Sequence, residues 1–168
     1  VIGKIAVIIL FIVVGATAIQ LQNWLPFVPK HVPGTNFGGV HGIFMGAAQV
    51  FFAYIGFDTI AANSAEVKDA QRTMPRAIIG TLLIATVLFV GVAGVLTGMY
   101  KYTKYANNAE PAAWALRESG HLFTANLLSV VALVGMFSGL IALMIGGSRL
   151  VYSFGRDGLM PQAFAKLD

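Results

Sequence analysis

One short string carries the most unusual chemistry in the chain: Phe51-Phe52-Ala53-Tyr54-Ile55-Gly56-Phe57-Asp58-Thr59, which sets a flexible glycine and an ionisable acid inside an otherwise apolar run. A glycine costs about 1 kcal/mol in a helix relative to alanine, and a carboxylate at membrane depth costs about 2.5 to 3.5 kcal/mol on insertion scales. A plain membrane anchor would avoid both. A helix that unwinds around residues 55–58 makes use of them, because freed backbone carbonyls facing a cavity can hold an ammonium group. The competing placement puts Asp58 at the cytoplasmic headgroup level, close ahead of Glu66, where a carboxylate is ordinary.

Two further polar side chains stand in apolar surroundings. Lys4 begins the first apolar run, in Gly3-Lys4-Ile5-Ala6. It is either a cytoplasmic anchor whose long stem snorkels to the interface or a fixed positive charge within a helix packing. Ser138, in Met136-Phe137-Ser138-Gly139, is either bonded to its own helix backbone or a hydroxyl offered to a partner. His31 and His41 flank a loop and His121 starts a span, so none sits where a proton-relay histidine would. No His-Glu-x-x-His or Gly-x-Gly-x-x-Gly pattern occurs, and the chain has no cysteine. Neither a metal site nor a bound cofactor is expected. Ser138 next to Gly139 raises an intramembrane protease as the enzyme alternative, but no buried base accompanies it in the last two spans, so the expectation is that the chain is not an enzyme.

The elements that must position these residues are legible in the charge spacing. Hydrophobic residues make up 57% of the 168 and charged ones 11%, against roughly 25% charged in an ordinary globular domain. No Lys, Arg, Asp or Glu occurs in residues 5–29, 77–100 or 122–148, and each run exceeds the roughly 18 apolar residues of a spanning helix. Residues 42–65 form a fourth candidate, interrupted by Asp58 alone. Lipid offers no hydrogen bonds to an open backbone, so runs of this length are expected to be helical. The expected fold is therefore an all-α membrane protein with four transmembrane helices. They lie at about 4–21, 42–65 with a break near 55–58, 77–100 and 122–148, with polar loops at 66–76 and 101–121 and an amphipathic cytoplasmic tail over 149–168. The start Val1-Ile2-Gly3-Lys4 lies at the edge of an apolar run, which reads as a fragment of a longer single membrane domain.

Lys4, Lys68, Arg72, Arg76, Arg149, Arg156 and Lys166 fall on one side of this topology, and Lys30, Lys101, Lys104 and Arg117 on the other. Seven basic residues against four place the first set in the cytoplasm by the positive-inside rule. The net charge of +4 follows from these flanks. With no basic stripe interleaved with aromatics, a nucleic-acid partner is not expected. The pairs Gly42 with Gly46, Gly94 with Gly98 and Gly135 with Gly139 have the spacing that lets helices approach closely, most simply as general packing.

The strings Phe-Phe-Ala-Tyr-Ile-Gly-Phe-Asp from Phe51, Ala-Glu-Val-Lys-Asp-Ala-Gln-Arg-Thr-Met-Pro from Ala65 and Ser-Arg-Leu-Val-Tyr-Ser-Phe-Gly-Arg-Asp-Gly-Leu-Met-Pro from Ser148 resemble the amino acid/polyamine/organocation superfamily. The likeness is to its cationic amino-acid transporter branch and covers essentially the whole chain. Asn63-Ser64-Ala65-Glu66 replaces a common acidic pair, Asp69-Ala70 replaces the usual Asn-Pro, and the loop after the first span is long; these departures leave cationic and neutral substrates both open. The resemblance implies a leucine-transporter-type fold of two inverted five-helix repeats, of which this piece matches the fifth to eighth spans.

By that likeness the carbonyls of Phe52, Ala53 and Ile55 receive a substrate's α-amino group, Phe52 gates it, and Gly56 allows the bend. Asp58 stabilises the break or a cationic side chain. The substrate carboxylate is bound by a span absent from this chain, so the piece carries half of the site. Lys4 takes the place that sodium fills in relatives, beside Ser138, and exchanging its proton makes transport proton-coupled. The expected function is a secondary active amino-acid permease of the cell membrane, multi-pass, whose partners are an amino-acid substrate, the lipid bilayer and the missing spans. A channel-like or structural membrane subunit is the alternative.

Overall fold

A computed structural model describes residues 2–35, 37–56, 67, 69–159 and 161. Among them there are helices and connecting turns and no strand, in line with the all-α expectation. The α-helices are α1 (Ile2–Ala16), α2 (Gly39–Val50), α3 (Ala70–Met99), α4 (Pro111–Glu118) and α5 (Leu122–Arg156). Short 3-10 helices cover Leu21–Trp24, Phe51–Tyr54 and Tyr102–Tyr105.

Helices α3 and α5, of 30 and 35 residues, are long and apolar enough to cross a membrane. At 1.5 Å per residue they extend about 45 and 52 Å, beyond the roughly 30 Å of hydrocarbon. Of the most apolar stretch of each, only 6% and 0% of residues are buried within the chain. A soluble core helix would bury such a stretch, whereas here the apolar surface faces outward and calls for lipid or other helices. Helix α1 and the Gly39–Tyr54 stretch are apolar but shorter.

Helix ends differ from the ends of the charge-free runs. The first helix stops at Ala16, where the expectation carried it to residue 21. Helix α3 starts at Ala70 and takes in most of the polar stretch expected as a loop. Asp69, at φ +52°, turns the chain into it, and its carbonyl accepts from the Arg72 and Thr73 N–H groups, both at 3.0 Å. Pro75 lies inside this helix and removes one rung near its start. Helix α5 runs through Ser148 to Arg156, so the first part of the expected tail continues the fourth helix. It ends in a Schellman motif: the Leu159 N–H reaches the Phe154 carbonyl at 3.0 Å and the Gly158 N–H the Gly155 carbonyl at 3.3 Å, with Gly158 at φ +76°. A charge marks where lipid ends; a helix ends where its last carbonyls find other donors.

Two packed units divide the chain: residues 1–53 with 84–135, and residues 54–83 with 136–168. In the first, α1, α3, α4 and α5 meet in a core of Phe11, Val95, Met99, Ala115, Leu116 and Ala125, with Ile12, Ile19, Val92 and Leu128 packed around it. Gly15 lies so close to Val95 and Met99 that a β-carbon could not be added without displacing them. Gly98 receives Ile19 and Trp24 in the same way, and Gly91 receives Ile12. Of the glycines singled out by spacing, Gly98 makes such a close approach, whereas a β-carbon on Gly46 or Gly94 would meet nothing within 4 Å. In the second unit Met74 is buried, whereas Ile79, Leu83, Phe137 and Met144 are exposed.

The C-terminal end of α3 is tied down largely by residues distant in sequence. The Gln20 N–H and the Asn23 side-chain amide both donate to the Gly98 carbonyl, at 2.9 and 2.8 Å. Asn23 also reaches the Met99 carbonyl at 3.0 Å, and the Trp24 indole N–H reaches that of Gly94 at 3.3 Å. The Tyr105 hydroxyl donates to the Leu96 carbonyl at 2.6 Å. The bonds to Gly98 and Met99 satisfy carbonyls that the helix end leaves open, and the Leu96 carbonyl also accepts from the Tyr100 N–H at 3.3 Å.

Candidate functional site

Helix α2 enters from Gly38, whose φ of +80° suits glycine, and runs to Val50, where the Phe51 N–H bonds back to the Ala47 carbonyl. From Phe51 to Tyr54 the chain tightens into a 3-10 turn. Ile55 and Gly56 then form a turn, and Gly56 has φ +121°, a conformation that L side chains rarely adopt. The α-helical ladder therefore ends ahead of Gly56, within the string that carries the glycine and the acid. Phe57, Asp58 and the residues through Glu66 lie outside the described residues, and with them the Asp58 assignment.

The last carbonyls of a helix point beyond its C-terminal end and carry its partial negative charge. Phe52 and Ala53 belong to this last turn. Phe52, 69% exposed, stands edge-on to Phe51 with ring centroids 6.4 Å apart. Ile55 is also exposed. Beside Ala53 is a cavity of about 510 Å³, walled by Ile8 and Phe11 of α1, Val50 of α2, a face of α3 from Ala85 to Leu96, Ala112 of α4 and Leu128 of α5. The apolar pattern of each helix is visible in the sequence, but the faces that meet around this space are not.

Lys4 sits in the first turn of α1 and is part-buried. Its stem lies over Gly135 of α5: a β-carbon on that glycine would stand 3.7 Å from Lys4 Cδ and 3.9 Å from Cε. Ser138 is three residues farther along α5, and such spacing puts positions 135 and 138 on neighbouring turns of one helix face. The Ser138 hydroxyl makes no hydrogen bond among the described residues. Ser148 of the same helix, in contrast, is bonded back to the Ile145 carbonyl at 2.8 Å.

The segment between α3 and α5 adds groups that sequence reasoning passed over. Trp114 of α4 stacks against Tyr100 and Tyr105, with centroids at 5.2 and 5.6 Å, and the Lys104 ammonium lies 5.3 Å from the Tyr100 ring centre. Burial, reinforced by the neighbouring Tyr100, pushes the Tyr105 phenol up from 10.0 to about 12, so it remains a hydrogen-bond donor at physiological pH. Arg117 and Glu110 form an exposed ion pair at 3.5 Å bridged by Ser129. The aromatic and basic residues of this segment are visible in the sequence as an interface composition, though not their stacking. His121 differs from a surface histidine in one respect: its Nδ1 is buried with no partner among the described residues.

A family model described as "Amino acid permease" matches residues 1–168. The chain is 53% identical over 165 residues to a branched-chain amino acid permease, BcaP, of Lactococcus lactis subsp. cremoris (strain MG1363), covering 98% of this chain and 36% of that protein. It is 42% identical over 164 residues to a methylthioribose transporter of Bacillus subtilis (strain 168), covering 98% and 34%. It is 36% identical over 164 residues to cationic amino acid transporter 9, chloroplastic, of Arabidopsis thaliana, covering 98% and 27%. The chain thus spans about a third of the length of the curated relatives it matches.

Proposed function

The chain belongs to the amino acid permease family, of the amino acid/polyamine/organocation superfamily, and from that membership we propose that it serves a secondary transporter moving amino acids across the cell membrane. In this proposal α1, the Gly39–Tyr54 stretch with its continuation, α3 and α5 are four spans of a leucine-transporter-type fold. Spans outside this chain complete the bundle and bind the substrate carboxylate, and this piece supplies the other half of the site. The residues act as binding groups, so no enzymatic step is assigned to them.

The observation that carries the reading is the end of α2. A helix passing into a 3-10 turn and then to Gly56 at φ +121°, inside an apolar run of a permease-family chain, has the form of the discontinuous helices that hold substrates in secondary transporters. The carbonyls of Phe52, Ala53 and Ile55 would accept from a substrate ammonium, with Phe52 as an aromatic gate, Gly56 as the bend and Asp58 below it. Lys4 would supply the fixed positive charge at the inner end of α1, with the Ser138 hydroxyl as its partner, and would couple transport to protons by losing and regaining one. The part-buried Lys4 stem over Gly135 supports this role over a snorkelling anchor. Counterflow of radiolabelled amino acids by the full-length protein in proteoliposomes tests the class. Saturable exchange is expected, and a non-saturable leak would point to a channel.

A further inference from the structure

His31 and His41 belong to neither the proposed binding site nor the proposed coupling site. Ten residues apart in sequence, they meet in space, with ring centres 6.1 Å apart and planes at 85°. Both residues are exposed. The Nδ1 of His31 lies 3.4 Å from the Gly38 carbonyl. A carbonyl only accepts, so this nitrogen carries the hydrogen and Nε2 keeps its lone pair for another partner. From this juxtaposition we infer that the two imidazoles form a binding site for a divalent transition metal of the zinc class, and that the metal clamps the loop over residues 29–38 to the first turn of α2.

The backbone that carries the pair is held in place. The Val32 N–H donates to the Phe37 carbonyl at 3.1 Å and the Gly39 N–H to the Pro29 carbonyl at 2.7 Å, closing the loop at its base. A β-carbon on Gly38 would collide with the Lys30 carbonyl, and one on Gly39 would stand 3.1 Å from His31 Cβ. His31 is thus seated against the start of α2, and His41 is on that helix. Ligands held this way are ordered before the metal arrives. Zinc–imidazole bonds of about 2.0–2.1 Å put each ring centre about 3.2 Å from the ion, and a tetrahedral angle then sets the two centres about 5.2 Å apart. The observed separation is within about 1 Å of that value. Small turns of exposed rings about their side-chain bonds, where the ring torsion is broad, close the difference. Imidazole nitrogens suit zinc, nickel and copper, whereas calcium and magnesium take oxygen ligands. Among the described residues no group of three or more His, Cys, Asp or Glu is placed to hold a metal, so water completes the shell and the ion is held reversibly.

The test is calorimetric titration of the purified full-length protein with zinc chloride, with magnesium chloride as the control. The parent is expected to show saturable zinc binding that His31→Asn and His41→Ala each weaken about tenfold or more. The double variant is expected to bind no more weakly than the singles, because one imidazole alone cannot chelate. His31→Asn keeps an N–H donor for the Gly38 carbonyl, so its effect reports on Nε2 and not on the loop. His41→Cys supplies a thiolate in place of the imidazole and is expected to recover zinc binding; a ring contact that is only structural would not be recovered by a thiol. Equal zinc binding by the parent and either single variant, or a His41→Cys protein as weak as His41→Ala, would place the metal elsewhere and overturn the inference. The clamp is read in proteoliposomes with zinc on both faces, and this part rests on the proposed transport. Zinc is expected to slow isoleucine uptake about fivefold or more in the parent and not in His41→Ala. Zinc that binds at the pair without slowing uptake overturns the clamp. If no amino acid is taken up even without zinc, the transport reading fails and the calorimetric result decides the metal site by itself.

Discussion

At the scale of single residues, the proposed function turns on a charge and a backbone angle. If Lys4 is the fixed cation of the coupling site, Lys4→Met in the full-length protein keeps the stem that packs over Gly135 and removes only the ammonium. Uptake is then expected to lose its dependence on pH while the protein remains folded; a variant with an intact pH response would make Lys4 an anchor. Gly56 makes the second case. At φ +121° a β-branched side chain is strained by about 1–3 kcal/mol, so Gly56→Val should reduce counterflow at least tenfold and lower the melting temperature by a few degrees. Normal counterflow in that variant would mean that the bend is not part of the site. Gly56 was visible in the sequence as an oddity, a helix breaker in an apolar run. Its φ value adds where the ladder stops, and no composition could supply that.

At the scale of elements, apolar runs locate helices better than they locate helix ends. Absence of charge reports where lipid can be, whereas α3 begins seven residues ahead of Ala77, at Ala70, because Asp69 turns the chain and provides the first acceptor. The early end of α1 has a similar cause. The chain leaves the helix after Ala16 so that Gln20, Asn23 and Trp24 can reach the carbonyls of Gly94, Gly98 and Met99, partners 70 or more residues away. Long-range caps of this kind have no local signature, and neither does the cavity that α1, α2 and α3 share. Tyr105 offers a direct check on the capped end. Tyr105→Phe removes the 2.6 Å bond to Leu96 and is expected to cost about 1 kcal/mol, seen as a lower melting temperature in detergent. Because the phenol is shifted upward, from 10.0 to about 12, its contribution is fully present below pH 10 and is lost as pH rises through 12. Equal melting of variant and parent at neutral pH would show that the bond contributes nothing.

At the scale of the whole molecule, orientation and coupling are the quantities to measure. The chain itself has no cysteine, so in the full-length protein, with any cysteine of the other spans replaced, single introduced thiols in this region report sidedness. With the positive-inside orientation, Lys104→Cys in intact cells should react with an impermeant maleimide and Arg156→Cys only after permeabilisation. The reverse pattern would invert the topology and move Lys4 to the outer face. The central claim is that this chain serves a permease that moves amino acids with protons through a site at the end of α2. The most direct test is isoleucine accumulation by the full-length protein in sodium-free proteoliposomes under an inside-alkaline pH gradient. The account predicts saturable uptake above equilibrium that a protonophore abolishes and that added sodium leaves unchanged; uptake that requires sodium, or that never exceeds equilibrium under the gradient, would contradict it.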